Sequence, residues 1–399
     1  MLPKHPDLYT DDELDAWVRH LVDDEVAEGP RLDYKQTIPL DTASDRKEAA
    51  KDISSFANEV GGCLLYGVPE NRVSKERAIP QRPYGIDPIT DLESRLENVY
   101  VDAIRPTLSE WRIKKIPLSE YAGKVVYLAW TPESWAGPHM VEAHGDGRYY
   151  RRGQLRAVEM AEHEVRARYE RIATARDRLA EFLSSPEFSY VGHLLPGFRS
   201  RYVACPVPLA ADRLDTRSER FRSWLRQHPI PGSAWEPSPY GVRTKLSVRD
   251  DLAHWGDYAE IYRNGTVAVW AQTPVDRLGD GSYSFGYLSE LENLLGFLEL
   301  TRDLYAENGY FGRLRLLYEV DHQPTPVPAL RFPRSQWHSE WRALLTHDGA
   351  LRIAIDESAA TLFNNPNKVL KRFADEMYRA FGYWEATCFD DNLNLTRDR

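Results

Sequence analysis

The sequence predicts an α+β protein of two domains joined by a long helix, and three observations carry that prediction. The chain has 399 residues, beyond the size at which one hydrophobic core usually keeps growing. Its strongly apolar runs, CLLYGV at 63–68 and VVYLAW at 125–130, are strand-sized and are interspersed with amphipathic stretches at helical spacing. From 157 to 184 an Ala-, Glu- and Arg-rich helical pattern reads as a connector. The expected layout is an N-terminal helix over 1–27, a first domain over 28–156, a helical connector over 157–189 and a second α+β domain over 190–399.

The elements follow in order. Thr10 to Glu13 form a capping-box pattern, and Leu14, Trp17, Val18, Leu21 and Val22 recur at helical spacing, which predicts a helix from about 11 to 26. Gly29-Pro30 breaks it. Leu32, Tyr34 and Thr37 lie in an extended stretch, so Asp33 and Lys35 share one face of a strand. A second helix is expected with Asp45 as N-cap, Glu48 three residues on, and Ala49, Ile53, Phe56, Ala57 and Val60 along one side. Gly61-Gly62 ends it, and CLLYGV follows as a buried strand leading to Glu70. Residues 91–104 make another amphipathic helix, with strands near 110–116, 124–131 and 148–152. In the second half, strands are expected near 199–208, 257–271, 312–320 and 351–356, with a hairpin turn at Asn264-Gly265. Helices are expected at 287–307 and 366–380. Trp255, Tyr258, Tyr262 and Trp270 read as core and hairpin-pairing residues.

Composition limits the function. Hydrophobic residues make up 42% and charged residues 28%, a globular balance. Cys63, Cys205 and Cys388 lie far apart, so no disulfide framework or CxxC zinc site is read, and free thiols in a reducing compartment are expected. The N-terminus has no apolar export segment and no run is long enough for a membrane helix, which points to a cytoplasmic protein without a membrane partner. The net charge of −10 argues against a protein that coats nucleic acid by bulk attraction, though not against a local basic groove. The sequence has no GxxxxGK[ST] loop, GxSxG elbow, HExxH, GxGxxG after a strand, or EF-hand loop.

The chemistry gathers in the first domain. Glu28, Asp33 and Glu70 with Lys35 form a carboxylate trio plus lysine, a set that can hold Mg2+ or Mn2+ and steady a phosphodiester under attack. Solvated charges flanking strands are the plain alternative. Asp33 lies on a strand and Glu70 ends the strand after the intervening helix, so neighbouring strand ends would bring them together on one ion. Arg148, Arg151, Arg152 and Arg156, interleaved with Tyr149 and Tyr150, are suited to phosphate contact and base stacking, and Lys114 and Lys115 form a second basic pair. Asn58 can cap its helix or bond a ligand, and His139 can donate to phosphate or serve structure.

The run DYK at 33–35, the helix ending FANEVGG, the strand CLLYGV with Glu70 beyond it, Pro138-His139 and YYRRG at 149–153 form an ordered series. It resembles that of the Schlafen AlbA-like (AlbA_2) domain: EFK, FANTEGG, GV-acid, PH and YxRxG. The resemblance covers about 28–156. It departs in having Asp at 33 where those members have Glu, and Pro69 before Glu70. It implies a metal-dependent endoribonuclease like the bacterial Schlafens, cutting tRNA or other structured RNA, with Glu28, Asp33 and Glu70 on Mg2+ or Mn2+ and Lys35 as electrostatic support. An antiphage effector role, and a homodimer through the N-terminal domain that supplies a second lobe, go with that reading. A non-catalytic nucleic-acid-binding regulatory protein is the alternative.

Overall fold

The computed structural model describes residues 5–396 except 75–76, 109, 144–145, 186–187, 189–196, 210–212, 230–233, 245–257, 311, 324–328, 334–340 and 346–349. Trp255 lies outside the described residues. The chain divides into two units, Met1–Thr174 and Ala175–Arg399.

In the first unit, α1 (Asp11–Asp23) starts at a capping box, with Thr10 and Glu13 each accepting the other's backbone N–H. The strand β1 (Leu32–Lys35) follows, then α2 (Ala43–Ala57). The cap of α2 is Thr42 with Asp45, three residues earlier than expected at Asp45 and Glu48, because the Thr42 hydroxyl accepts the Asp45 N–H and Asp45 returns the bond. Next come β2 (Gly62–Tyr66), the hairpin of β3 (Glu70–Ser74) and β4 (Arg77–Pro80), α3 (Leu92–Ala103), β5 (Ile104–Arg105), β6 (Arg112–Pro117) and β7 (Val125–Thr131). The unit continues through β8 (Met140–Ala143), β9 (Asp146–Arg152) and β10 (Ala157–Glu159) to α4 (Glu162–Ser184), inside which the division between units falls.

One sheet has the order β1-β2-β7-β6, with β1 and β2 parallel and the other pairs antiparallel. Helices cover both faces. Leu14, Val18 and Leu21 of α1 pack with Leu32, Tyr34, Cys63 and Leu65. Ile53 and Phe56 of α2 and Leu96 and Tyr100 of α3 pack with Leu64, Tyr66, Tyr127 and Ala129 on the other side. This two-sided burial is why CLLY is apolar without alternation. A second sheet runs β10-β9-β8-β5.

The sharp entry into β2 rests on the glycine pair. Gly61 takes φ +69° and its N–H returns to Phe56 O at 2.9 Å. A Cβ on Gly62 would stand 2.4 Å from Phe56 Cδ1 and 2.8 Å from Arg31 O, so any side chain there would push α2 off the sheet. Asn58 fixes the same junction. Its side chain donates to His139 O and Tyr150 O and accepts the His139 N–H, tying the end of α2 to the segments around β8 and β9.

The second unit is built on β11 (Gly197–Val207), followed by α5 (Glu219–Gln227), β12 (Trp235–Pro237), β13 (Gly241–Thr244), β14 (Tyr258–Tyr262) and β15 (Val267–Gln272). Then come β16 (Val275–Arg277), β17 (Tyr283–Phe285), α6 (Tyr287–Glu307), β18 (Arg313–Gln323), β19 (Leu330–Pro333), β20 (Trp341–Ala343), β21 (Leu351–Ser358), α7 (Ala359–Asn364) and α8 (Pro366–Ala380). Its main sheet has the order β12-β13-β14-β15-β11-β18-β21, and β16, β17, β19 and β20 form a smaller one. α6 and α8 cover one face of the main sheet through Leu291, Leu294, Leu298, Phe373 and Met377. On the other, Tyr258, Tyr262 and Trp270 pack with Leu179 and Phe188. The hairpin of β14 and β15 turns at Gly265 with φ +91°.

Candidate metal centre

The site begins at the end of β1. Side chains alternate along a strand, so Asp33 and Lys35 project on the same face while Tyr34 enters the core. The N–H groups of Gly67 and Val68 donate to Lys35 O at 2.8 and 3.1 Å, which draws the exit of β2 against the end of β1. Three residues later Glu70 opens β3, delivered to the same corner. Glu28 arrives from the segment before β1: its N–H donates to Ala78 O on β4 (2.9 Å), and Gly29 pairs with Leu32.

Glu28, Asp33 and Glu70 therefore meet although 37 residues separate the last two, and one ligand atom of each lies within 4.8 Å of the others. Among the described residues this is the single group of three His, Cys, Asp or Glu side chains placed so closely. Glu28 and Asp33 are buried and Glu70 is partly exposed, so the cluster opens to solvent on the Glu70 side. The Tyr34 N–H donates to both Glu28 Oε1 (3.1 Å) and Asp33 Oδ1 (3.0 Å), fixing the two carboxyls relative to the sheet.

Charge balance is tight. Lys35 Nζ stands 3.5 Å from Asp33 Oδ2 and 4.0 Å from Asp52 Oδ2. Burial, together with the hydrogen bond and charge of Asp33 and a hydrogen bond to Glu70, pushes the Glu28 carboxyl up to about 10. Burial pulls Asp33 the other way from its net shift, but hydrogen bonding to Glu28 and the charges of Arg152 and Lys35 hold it below the usual aspartate value. Burial pushes Asp52, on α2, up to about 7 against the pull of Lys35. With no metal ion bound, burial thus favours the protonated form of Glu28. Three oxygen donors with one side open to water suit a hard divalent ion such as Mg2+ or Mn2+, which would take the place of that proton.

The structure brings in a residue that the sequence reading placed elsewhere. Arg152 was expected to contact phosphate from β9, and it is buried at 1% side-chain exposure, donating from Nη1 to Asp33 Oδ2 at 2.8 Å with its guanidinium 5.0 Å from the centre of the Phe56 ring. Its Nε and Nη2 have no hydrogen-bond partner among the described residues. Tyr150, expected to stack on a base, is also buried and packs in the core between α2 and the sheet. The reason is the pleat: Tyr150 and Arg152 share the face of β9 that meets α2. The other face carries Arg151, whose Nε donates to Glu164 (2.7 Å). Arg148, on β9 beside β10, donates to Glu159 (2.5 Å). Arg156 is exposed in the turn into β10.

Lys114 donates to Tyr9 O at 2.7 Å and so anchors the chain before α1, whereas Lys115 is exposed. His139 serves structure. Its Nδ1 and Nε2 lie 2.6 Å from Pro106 O and Ser134 Oγ, and burial holds its pKa below the usual histidine value. Asp52 was missed in the sequence. Its one local signal is an acid on the buried side of an amphipathic helix. All three cysteines are buried and free, and no helix among the described residues is long and apolar enough to cross a membrane.

No curated protein matches the chain. Among solved structures, the chain is similar to the N-terminal domain of a RecG-related protein from Nitrosomonas europaea, named for an ATP-dependent DNA helicase. The identity is 23%, over 39% of this chain and 96% of that one, at a TM-score of 0.24. Residues 28–160, the stretch that carries the motif series, match the family model described as Schlafen, AlbA_2.

Proposed function

We propose that the first unit is a divalent-metal-dependent endoribonuclease that cuts tRNA or another structured RNA. The observation that supports this is the convergence of Glu28, Asp33 and Glu70 from three chain segments to within 4.8 Å, with a lysine beside them. A bound Mg2+ or Mn2+ would supply an activated water and neutralise phosphate charge. Glu28, Asp33 and Glu70 would hold it. Lys35, one-third exposed, offers its ammonium to the phosphate oxygens on which negative charge grows. Asp52 behind it keeps that ammonium charged: burial opposes the charge, but Asp52 and Asp33 raise the lysine's pKa. Arg152 holds Asp33 in place from the buried side. In this reading the second unit restrains the nuclease until it is needed, as an antiphage effector would require.

Total tRNA incubated with Mn2+ or with EDTA, using wild type and Asp33→Asn, tests the proposal. Cleavage should need metal, and Asp33→Asn should lower it by about 10²-fold or more with RNA affinity retained. Equal cleavage in EDTA, or by the variant, would overturn it. One observation favours a second reading, a non-catalytic nucleic-acid-binding regulator: Arg152 already gives Asp33 a cation at 2.8 Å. RNA binding with no cleavage in Mn2+ would support that reading.

A further inference from the structure

The arginines of β9 are each engaged within the chain, so cations without such partners are the readier contacts for a polyanion. A groove of about 440 Å3 lies between the first turn of α2 and α3 and is lined by Arg46, Lys47, Arg95, Asn98, Asp102 and Glu142. None of the three cations makes an ion pair or a side-chain hydrogen bond among the described residues. That sets them apart from Arg148, Arg151 and Arg152. The α2 terminus itself is closed by the mutual bonds of Thr42 and Asp45, so the attraction comes from the side-chain charges.

We infer that this groove seats the phosphate backbone of a folded RNA, a proposal that rests on the nuclease reading for its choice of polyanion. Arg46 and Lys47 sit on one wall and Arg95 on the other, so phosphates passing between them meet positive charge from both sides. Asn98 and Asp102 follow Arg95 at three and seven residues and share its helix face. Amide and carboxylate groups there can read base edges, a use for Asp102 that a purely electrostatic surface would not have. Glu142 closes the groove from β8 and limits how many phosphates it holds. The carboxylate corner is tied to the same helix through Asp52, five residues after Lys47 and about 7.5 Å further along the axis, on another face. A folded RNA is broader than the roughly 10–12 Å of a helix, so it can occupy the groove while one phosphodiester lies at the corner.

Filter binding of total tRNA in EDTA at several salt concentrations tests this without any dependence on cleavage. The triple exchange Arg46→Glu, Lys47→Glu, Arg95→Glu should weaken binding about tenfold or more and make the salt slope shallower by roughly two to three. Arg148→Glu with Arg151→Glu should leave both unchanged. Circular dichroism and melting check the fold, and if the triple variant does not fold, Arg46→Glu and Arg95→Glu singly should each weaken binding severalfold. Unchanged affinity and slope in the groove variants, an equal loss in the β9 variant, or no binding by wild type would overturn the inference. Wild type that binds through the groove but cuts nothing in Mn2+ sinks the nuclease reading and leaves this one standing.

Discussion

The carboxylate corner at the end of β1 and the arginines on β9 are both dense in charge, and the fold treats them in opposite ways. At the corner, where Glu28, Asp33 and Glu70 converge, burial, followed by the hydrogen bond and charge of Asp33, raises the Glu28 pKa far above the usual range. On β9, Arg148, Arg151 and Arg152 each have an acidic partner within 2.8 Å. Like charges held close are unfavourable unless a ligand resolves them, whereas paired charges are already resolved. The informative property is therefore how far a charge is left unsatisfied, more than its identity. By that measure the corner and the cations of the α2–α3 groove are the positions proposed above for a metal ion and for RNA.

Arg152 belongs to both regions, and removing it should produce the largest effect. Arg152→Met would leave Asp33 buried beside a single, partly exposed cation, which should lower stability by about 3–5 kcal/mol in urea unfolding. Mn2+ should restore a good part of it, because the ion would take over the lost charge. A loss under about 1 kcal/mol would show that the pair does not hold the corner together.

The next effect concerns pH. Glu28 has a folded pKa raised from 4.5 to about 10, so the native state binds a proton that the unfolded chain releases. Its contribution is intact below about pH 4.5 and is lost as pH rises toward 10. In EDTA, stability should fall as pH rises through that window. Glu28→Gln keeps the hydrogen-bonding shape without the proton equilibrium, and above about pH 7, past the titration of Asp52, its stability should vary less with pH than that of wild type. Parallel wild-type and variant curves would show that the proton resides elsewhere.

The smallest effect should come from the two solvent-exposed ion pairs of β9. Arg148→Ala with Arg151→Ala breaks two solvent-facing ion pairs, and such pairs contribute about 0–1 kcal/mol. A double variant that lost several kcal/mol would erase the contrast between β9 and the corner.

Much of the architecture was legible in the chain itself. The capping box at Thr10, the helix through Ile53 and Phe56, the apolar run of β2 and the hairpin at Gly265 are all read from neighbours in sequence, because caps, periodicity and turn chemistry act over a few residues. The three carboxylates were legible for a related reason. Each lies at or near a strand end, and the strand–helix–strand order places those ends together. The hairpin of β3 and β4 that carries Glu70 was not expected, since its exposed residues show no apolar alternation.

What the sequence by itself determined is the main helices and strands and the motif series over about 28–156, because both are encoded at short range. Which charges would be satisfied was decided only by tertiary structure. Arg152 is 119 residues from Asp33, and its neighbours Tyr149 to Arg151 look equally suited to nucleic acid. The β9 pleat sends alternate side chains to opposite faces, and packing against α2 makes one face interior. The same packing leaves Arg46, Lys47 and Arg95 on two helices facing one groove, and among the described residues none of them makes an ion pair. Burial and pairing are properties of three-dimensional neighbours, and no local pattern of residues encodes them.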